Sequence, residues 1–474
     1  MLVLALVQVV PVLVLAVVGK VKMLSNLSGM RAGLKRLLEP KKQHSSDGPG
    51  LGTRLFHYRL ENGDEKSRVH LRLDPDGHGT LIVNANRVIH LNPTAALMAY
   101  LILEKNSESD AVKSVQNRYR VSSAQARADL QAIKYQISEL TRPDGACPIH
   151  ELEMETIAPF SARPSAPYRM DLALTYRCNN NCSHCYNARE RSFPELTTDE
   201  WIKILDITWS LGIPHIIFTG GEPTLRDDLP VLIAHAEANG QITGLNTNGR
   251  RLSDPEYLQR LVDSGLDHVQ ITVESVDADI HNTMVNARAF DQTIAGLKNA
   301  LNSSLFVMTN TTMLRNNVES IPSTLDFLAE LGVRTIGLNA LIHSGKGSIV
   351  GTGLPDRDLA PLLETARLKT EMRGQRLIWY TPTQYCGFDP QTLDLGIKGC
   401  TAALYNMCVE PNADVLPCQS YYKPVGNILR DGWEAIWNHQ LSTQLRERQG
   451  LPEKCTGCKL LAECGGGCPL QFEE

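Results

Sequence analysis

From Met170 onward the chain alternates short apolar runs with amphipathic stretches, and this pattern restricts the fold more than any other feature of its 474 residues. Strands are predicted at Met170–Thr175, His215–Thr219, Gln241–Thr247, His268–Val273, Leu305–Leu314 and Thr335–Leu341. Helices are predicted between them, for example at Thr198–Leu211, Pro255–Ser264, Asp291–Asn302 and Ile321–Leu331. Consecutive strand–helix units imply parallel strands with helices outside. Six strands are fewer than the eight that close a full barrel, so an α/β fold with an open, partial (β/α)6 barrel is expected over residues 169–375. Sheets of this kind carry their chemistry at the carboxyl ends of the strands.

The first of those strand ends carries Cys178-Asn-Asn-Asn-Cys182-Ser-His-Cys185. Three thiolates so close in sequence can wrap one face of a four-iron cluster, and ordinary electron carriers add a fourth cysteine. None lies nearby here, which leaves one iron open for a ligand, as catalytic metal sites keep an open position. The competing assignment is zinc with a fourth ligand from His184 or elsewhere. Zinc motifs usually pair C-x-x-C knuckles, which this spacing does not match.

The chain has 12 cysteines: Cys147, the three above, and eight between Cys386 and Cys468. Disulfide frameworks suit small secreted domains without a core, whereas these spacings in a long chain fit metal binding. The formal net charge of −5, with lysine and arginine dispersed, argues against a nucleic-acid partner. After a Gly-rich stretch (344–353) and a helix near Leu359–Arg373 come Cys400-x7-Cys408-x9-Cys418 and, 36 residues on, Cys455-x2-Cys458-x5-Cys464-x3-Cys468. This region, residues 376–474, lacks strong periodicity and is expected to be held together by metal rather than by a large core. Zinc remains an alternative at Cys455-x2-Cys458.

Toward the N-terminus, residues 53–140 form a separate unit. A strand is predicted at Val69–Leu73, and a hairpin at Thr80–Asn84 and Arg87–Leu91. Helices follow at Thr94–Leu103, Ser107–Arg120 and Ser122–Leu140, the last with an apolar stripe at Ala126, Leu130, Ile133 and Ile137. A hairpin with three helices is a winged-helix-like pattern. Residues 39–52 and 141–168 read as linkers, with Cys147 unliganded in the second. Residues 1–52 open with an apolar run, Leu2 to Val18, just short of the roughly 20 residues that span a bilayer. If it inserts, Lys20, Lys22, Arg31, Lys35 and Arg36 hold the rest in the cytoplasm as a membrane tether. The other reading starts translation at Met23 or Met30, and on both the catalytic part is cytoplasmic.

The Cx3CxxC loop after the first barrel strand resembles the radical S-adenosylmethionine (radical SAM) superfamily. Its surroundings match: Thr219-Gly220-Gly221-Glu222-Pro223 ends the second strand, where the family carries a Gly-Gly-Glu motif that binds the methionyl amine of SAM. Glycines allow backbone to approach a ligand closely, and Glu222 or nearby carbonyls can accept from an ammonium group. By resemblance, Asn246-Thr247-Asn248-Gly249 and Glu274-Ser275, ending the third and fourth strands, contact the carboxylate and ribose of SAM. Both could instead be strand-end turns. His184 stands where the family often places an aromatic near the adenine. The resemblance implies that SAM chelates the open iron of the [4Fe–4S] cluster. One electron then cleaves a carbon–sulfur bond, and the resulting 5′-deoxyadenosyl radical takes a hydrogen from unactivated carbon. No side chain is singled out as catalytic.

The C-terminal spacing, with Val425-Gly426-Asn427-Ile428 and Trp433, resembles the SPASM extension of radical SAM maturases, which carries auxiliary [4Fe–4S] clusters. By family pattern Cys400, Cys408, Cys418 and Cys468 hold one cluster. Cys455, Cys458 and Cys464 hold a second, with a last cysteine further on. No cysteine follows Cys468 in these 474 residues, so the second cluster lacks a ligand, recruits Cys386 or keeps an open iron, or the gene is truncated. Gly79-Thr80-Leu81-Ile82-Val83-Asn84, His90-Leu91-Asn92-Pro93-Thr94-Ala95, Arg118-Tyr119 and Asp129 resemble the pyrroloquinoline quinone chaperone D (PqqD) family, whose domains recognise leader peptides. Strand addition to a hairpin edge would supply that recognition. The resemblance implies a peptide maturase, served by a precursor peptide and a flavodoxin- or ferredoxin-type electron donor. Two alternatives stay open: an oxidase of haem, tetrapyrrole or other cofactor synthesis, and an inactive leader-binding redox scaffold.

Overall fold

The computed structural model describes residues 13–15, 53–62, 65–84, 87–141, 155–156, 160–189 and 191–472, which fall into two compact units dividing between Ala158 and Pro159. In the first unit, strands β2 (Arg54–Asn62), β3 (Glu65–Leu73), β4 (Gly79–Val83) and β5 (Arg87–Leu91) form an antiparallel meander. The pairing register sets Leu71 opposite Leu81 and Leu81 opposite Ile89. Because strand side chains alternate between faces, this keeps one apolar face together.

Helices α1 (Pro93–Leu103), α2 (Glu108–Arg118) and α3 (Ser123–Leu140) complete the core: Met98, Val115, Leu130 and Ile133 are buried with Leu71, Leu81 and Ile89. Each start is fixed by a side-chain oxygen that accepts an otherwise unsatisfied N–H: Asn92 from Ala95, Ser107 from Asp110, Ser122 from Gln125. The winged-helix-like pattern is present, with one more strand, β2, than the sequence pattern announced.

Two short strands extend this sheet: β1 (Leu13–Leu15) runs parallel to β5, and β6 (Glu155–Thr156) antiparallel to β1. Leu13–Leu15 lie in the apolar run expected as a membrane tether, and they form a sheet strand instead. The rest of residues 2–18 lies outside the described residues, as does Cys147. Among the described residues no helix is long and apolar enough to cross a membrane.

The second unit is built on the expected alternation. Strands β7 (Arg169–Thr175), β8 (His215–Gly220), β9 (Ile242–Thr247), β10 (His268–Thr272), β11 (Phe306–Thr312) and β12 (Thr335–Asn339) pair in parallel, each with the next. Ile216 and Phe218 of β8 join a large core with Trp201 and Leu205 of the preceding helix α4 (Thr198–Ser210), whose start is fixed by a Thr197–Glu200 capping box. Ile217, between them on the opposite face, packs with Met308 and Ile378.

The sheet goes beyond six strands. β13 (Arg376–Trp379) adds parallel to β12, and β14 (Asn406–Val409) adds parallel to β7. β15 (Asp414–Leu416) and β16 (Gly426–Asn427) follow antiparallel, giving ten strands. The C-terminal region is therefore not held by metal alone. Met407, Val409, Val415, Ile436 and Trp437 are buried in the same core as the barrel helices.

At the amino ends of β8 and β10, His215 and His268 meet through their Nε2 atoms at 2.9 Å, both buried. Burial, then the Arg169 charge, pushes His268 down to about 4. An imidazole whose folded value is depressed stabilises fully above its unfolded value near 6.5 and loses that contribution as pH falls toward about 4. Acidification across that window is expected to remove on the order of 3 kcal/mol of stability, and His268→Gln to flatten the dependence. Chemical unfolding at pH 7 and pH 4.5 measures it; equal slopes in both proteins would refute the assignment.

Candidate functional site

The carboxyl ends of β7 to β12 open on a cavity of about 700 Å³. Cys178, Cys182 and Cys185 line it, together with His184, Gly220, Gly221, Asn246, Asn248 and Glu274. The backbone of the cysteine loop is pinned from outside the loop. Asn181 and Ser183 N–H donate to the carbonyls of Val285 and Met284 at 3.0 and 2.9 Å, and Lys346 N–H donates to the Cys185 carbonyl at 2.9 Å. Arg250 donates to Asn180 Oδ1 at 3.0 Å, and Asn248 to Asn179 Oδ1 at 2.6 Å.

Burial, then neighbouring charges and partly offset by hydrogen bonding, pushes the Cys178 thiol up to about 11. Cys182 and Cys185 are raised too, chiefly by burial, and Cys182 further by the Cys185 charge. Three such thiols facing one space stay protonated at neutral pH unless a cationic group compensates them, so loading a metal group releases protons. Among the described residues no three His, Cys, Asp or Glu side chains converge on a point that a single metal ion could occupy.

Gly220 and Gly221 cross the loop at the end of β8. Gly221 N–H donates to the Thr175 carbonyl at 2.7 Å and Glu222 N–H to that of Arg177 at 2.9 Å. A Cβ on Gly221 would stand 2.5 Å from the Arg177 oxygen, and one on Gly220, at φ +137°, 2.2 Å from the Thr175 oxygen. Only glycine lets the two segments approach this closely.

Glu222 is placed differently from the expectation. It is fully buried and faces away from the cavity wall. Its carboxylate accepts from Thr224 Oγ1 at 2.6 Å, Thr247 Oγ1 at 2.7 Å, Asn248 N–H at 2.8 Å and Thr224 N–H at 3.1 Å. Burial raises its pKa, and those hydrogen bonds pull it partly back. Glu222 thus ties the end of β8 to the end of β9 and sets the position of Asn248. Pro223 is buried in the following turn. Ser275 is also buried off the cavity, bonding Ser320 and the Asp277 N–H at 2.8 and 3.0 Å.

Glu274 does face the cavity. It accepts from Thr312 N–H at 2.9 Å and meets His184 Nε2 at 3.0 Å. Burial works to lower the His184 pKa, but the Glu274 charge and hydrogen bond outweigh it and the net shift is upward. Four buried polar atoms of residues on the cavity, His184 Nδ1, Asn187 Oδ1, Asn246 Oδ1 and Asn310 Oδ1, have no hydrogen-bond partner among the described residues. Buried polar atoms are normally satisfied. Four around one cavity that also holds three thiols and a glycine cradle fit a polar ligand held next to an iron–sulfur cluster.

Apart from Cys418 and Cys468, the residues of the far wall went unmarked by spacing or motif. Gln270, Thr272, Asn310, Asn339 and Tyr380 line it from β10 to β13, and Cys418, Gln419 and Cys468 close it from the C-terminal region. Tyr186, next to Cys185, donates to Gln419 Oε1 at 3.0 Å, so the cysteine loop bonds directly to the neighbour of Cys418. Arg191 lies 3.3 Å from the Tyr176 ring centroid and pairs with Glu410 at 3.2 Å, while Tyr176 donates to the same carboxylate at 3.0 Å. Signals at such long sequence separation are invisible to periodicity.

Of the C-terminal thiols, Cys418 lies within electrostatic reach of Cys400 and Cys468, and Cys408 of Cys418. Cys455 lies within reach of Cys464, Cys386 and Cys458.

The sequence profile of the radical SAM superfamily matches residues 172–328, that of an iron–sulfur cluster-binding domain (SPASM) matches 400–459, and that of coenzyme PQQ synthesis protein D (PqqD) matches 70–136. An AdoMet-dependent heme synthase of Methanosarcina barkeri is 29% identical over 324 residues, 64% of this chain and 92% of that protein. A PqqA peptide cyclase of Streptomyces rochei is 30% identical over 316 residues, 65% of this chain and 85% of that protein. Among solved structures, SuiB of Streptococcus suis bound to S-adenosylmethionine has a TM-score of 0.63 at 20% identity, covering 85% of this chain and 95% of SuiB. The likeness to SuiB establishes the fold, and the three thiols at the first strand end lie within the segment that the radical SAM profile matches. The chain belongs to the radical SAM superfamily and is an enzyme whose cofactors are SAM and [4Fe–4S] clusters.

Proposed function

We propose that this enzyme modifies a ribosomal precursor peptide, as a maturase whose N-terminal unit binds the leader. The observation that carries the reading is the joining, in one chain, of the tripod cavity with a domain matched by the PqqD profile. The PqqA peptide cyclase likeness supports it.

Cys178, Cys182 and Cys185, which line the cavity, would hold the cluster with three thiolates. Gly220, Gly221, Asn246, Asn248, His184 and Glu274 frame SAM, while Glu222, Pro223 and Ser275 brace that frame from behind. When bound, a cluster and SAM would supply one-electron, radical chemistry at carbon. The protein's part is to orient and to exclude water: the Glu222 bonds fix Asn248, the His184–Glu274 pair fixes the imidazole, and the far wall from β10 to β13 leaves room for a substrate side chain. Cys400, Cys408, Cys418 and Cys468 would hold an auxiliary cluster, and Cys418 and Cys468 line the same cavity; such a group would supply one-electron redox capacity there. A flavodoxin- or ferredoxin-type protein supplies the reducing electron, and the enzyme works in the cytoplasm.

The test uses reduced, reconstituted protein. With SAM it is expected to form 5′-deoxyadenosine. Deleting residues 53–140 is expected to weaken precursor binding at least about tenfold, roughly 1.4 kcal/mol, while SAM cleavage persists. Unchanged affinity defeats the leader assignment. A second reading, oxidation of a tetrapyrrole, is favoured by the likeness to the heme synthase; turnover of a porphyrin, with precursor peptide left unmodified, would select it.

A further inference from the structure

We infer that Cys386, Cys455, Cys458 and Cys464 form a second four-thiolate site for an iron–sulfur cluster, in which Cys386 is a ligand that precedes the other three in the chain. The inference rests on the reading of the chain as an iron–sulfur enzyme. It goes beyond that reading, because Cys386 and Cys464 lie outside the matched cluster-binding segment.

The segment carrying Cys386 is bonded at several points to the residues around the other three thiols. Tyr385 N–H donates to Cys464 Sγ at 3.3 Å, and the Cys464 thiol faces the Thr383 carbonyl at 3.6 Å. Lys454, adjoining Cys455, donates to Gln384 Oε1 at 2.6 Å, the same oxygen that the Cys386 thiol faces at 3.8 Å. Gln391 donates to Glu463, the neighbour of Cys464, at 2.7 Å.

The other three thiols are brought together by local turns. Cys458 N–H donates to the Cys455 carbonyl at 3.1 Å, and Cys464 N–H to that of Leu460 at 2.8 Å. Gly457 and Gly465 take left-handed backbone, φ +72° and +64°, which bends the chain around the shared space.

These contacts bring the Cys386 segment against the residues that carry Cys455, Cys458 and Cys464, four cysteines in all, the complement that a four-iron cluster takes from cysteine. Cys386 and Cys458 are exposed, Cys464 is buried, and Lys454 adds a positive charge beside thiols that must ionise to bind iron.

The test is an iron and sulfide count with electron paramagnetic resonance on anaerobically reconstituted full-length protein. Wild type is expected to hold about 12 iron atoms per chain, four in each of three clusters. Cys386→Ala is expected to fall to about 8 or 9 and to lose one cluster signal while the other two persist, which shows that the variant is folded. Cys458→Ala is expected to give the same loss, and the double variant no further loss, because both remove ligands of one cluster.

An unchanged count and spectrum in Cys386→Ala overturns the inference. So do losses that add in the double variant, and zinc in place of iron at this quartet. A wild type near 8 irons, with the tripod cluster present, overturns it and leaves the proposed function standing. Absence of iron from the tripod fails both.

Discussion

Cys182→Ala abolishes 5′-deoxyadenosine formation, a loss of at least roughly a thousandfold or about 4 kcal/mol of barrier, and removes about four iron atoms per chain. The expectation follows from the way the loop is held. The residues on either side of Cys182 are fixed through their backbone N–H groups to Val285 and Met284, so the loop keeps its course without the thiol. What disappears is one of three thiolates facing the cavity, and two thiolates leave a cluster with two unprotected irons. Melting of the apo-protein should move by only a few degrees, because no bulky core side chain is lost. A variant that melts normally, holds no tripod iron and makes no 5′-deoxyadenosine is the expected result. Retention of iron and cleavage would remove Cys182 from the ligand set.

The second large effect comes from a single methyl group. In Gly221→Ala the new Cβ meets the carbonyl oxygens of Arg177 and Tyr176 at 2.5 and 2.7 Å. Both belong to the backbone that leads into Cys178, and neither is the far end of a flexible side chain. The strain is relieved only by pushing that segment away from the end of β8, which breaks the bonds from Gly221 to Thr175 and from Glu222 to Arg177. Overpacking of this kind costs roughly 1–3 kcal/mol. It also displaces the tripod from the glycine cradle, so SAM affinity is expected to fall at least about tenfold, roughly 1.4 kcal/mol. Denaturant unfolding and equilibrium dialysis with SAM measure the two effects separately. Wild-type affinity in a folded Gly221→Ala protein would show that the close crossing is not needed for the ligand.

The six parallel strands were legible because each is a buried apolar run bounded by turn residues, with amphipathic helices between them. β13 to β16 were not, because strands of four residues or fewer carry no usable period; they exist through pairing with strands far away in sequence. The apolar N-terminal run shows the opposite failure. Hydropathy alone could not tell a bilayer segment from sheet, and Leu13–Leu15 pair with β5. In the site, the thiol triplet and the glycine pair were readable from spacing, since their chemistry is local. The direction of a strand-end side chain was not readable: Glu222 turns toward Thr224 and Thr247, whereas Glu274, at the corresponding end of β10, faces the cavity. Tyr186 and Gln419 are 233 residues apart, and only the folded chain makes them partners.

The pairing of β14 with β7 has a consequence for how the enzyme is made. β7 opens the barrel, yet one of its hydrogen-bonding edges stays bare until residues 406–409 have left the ribosome. A fragment ending before that point carries an exposed, apolar parallel strand, the kind of edge that recruits other chains. Nascent or clipped forms lacking residues from 406 onward are therefore expected to precipitate rather than persist as a smaller catalyst.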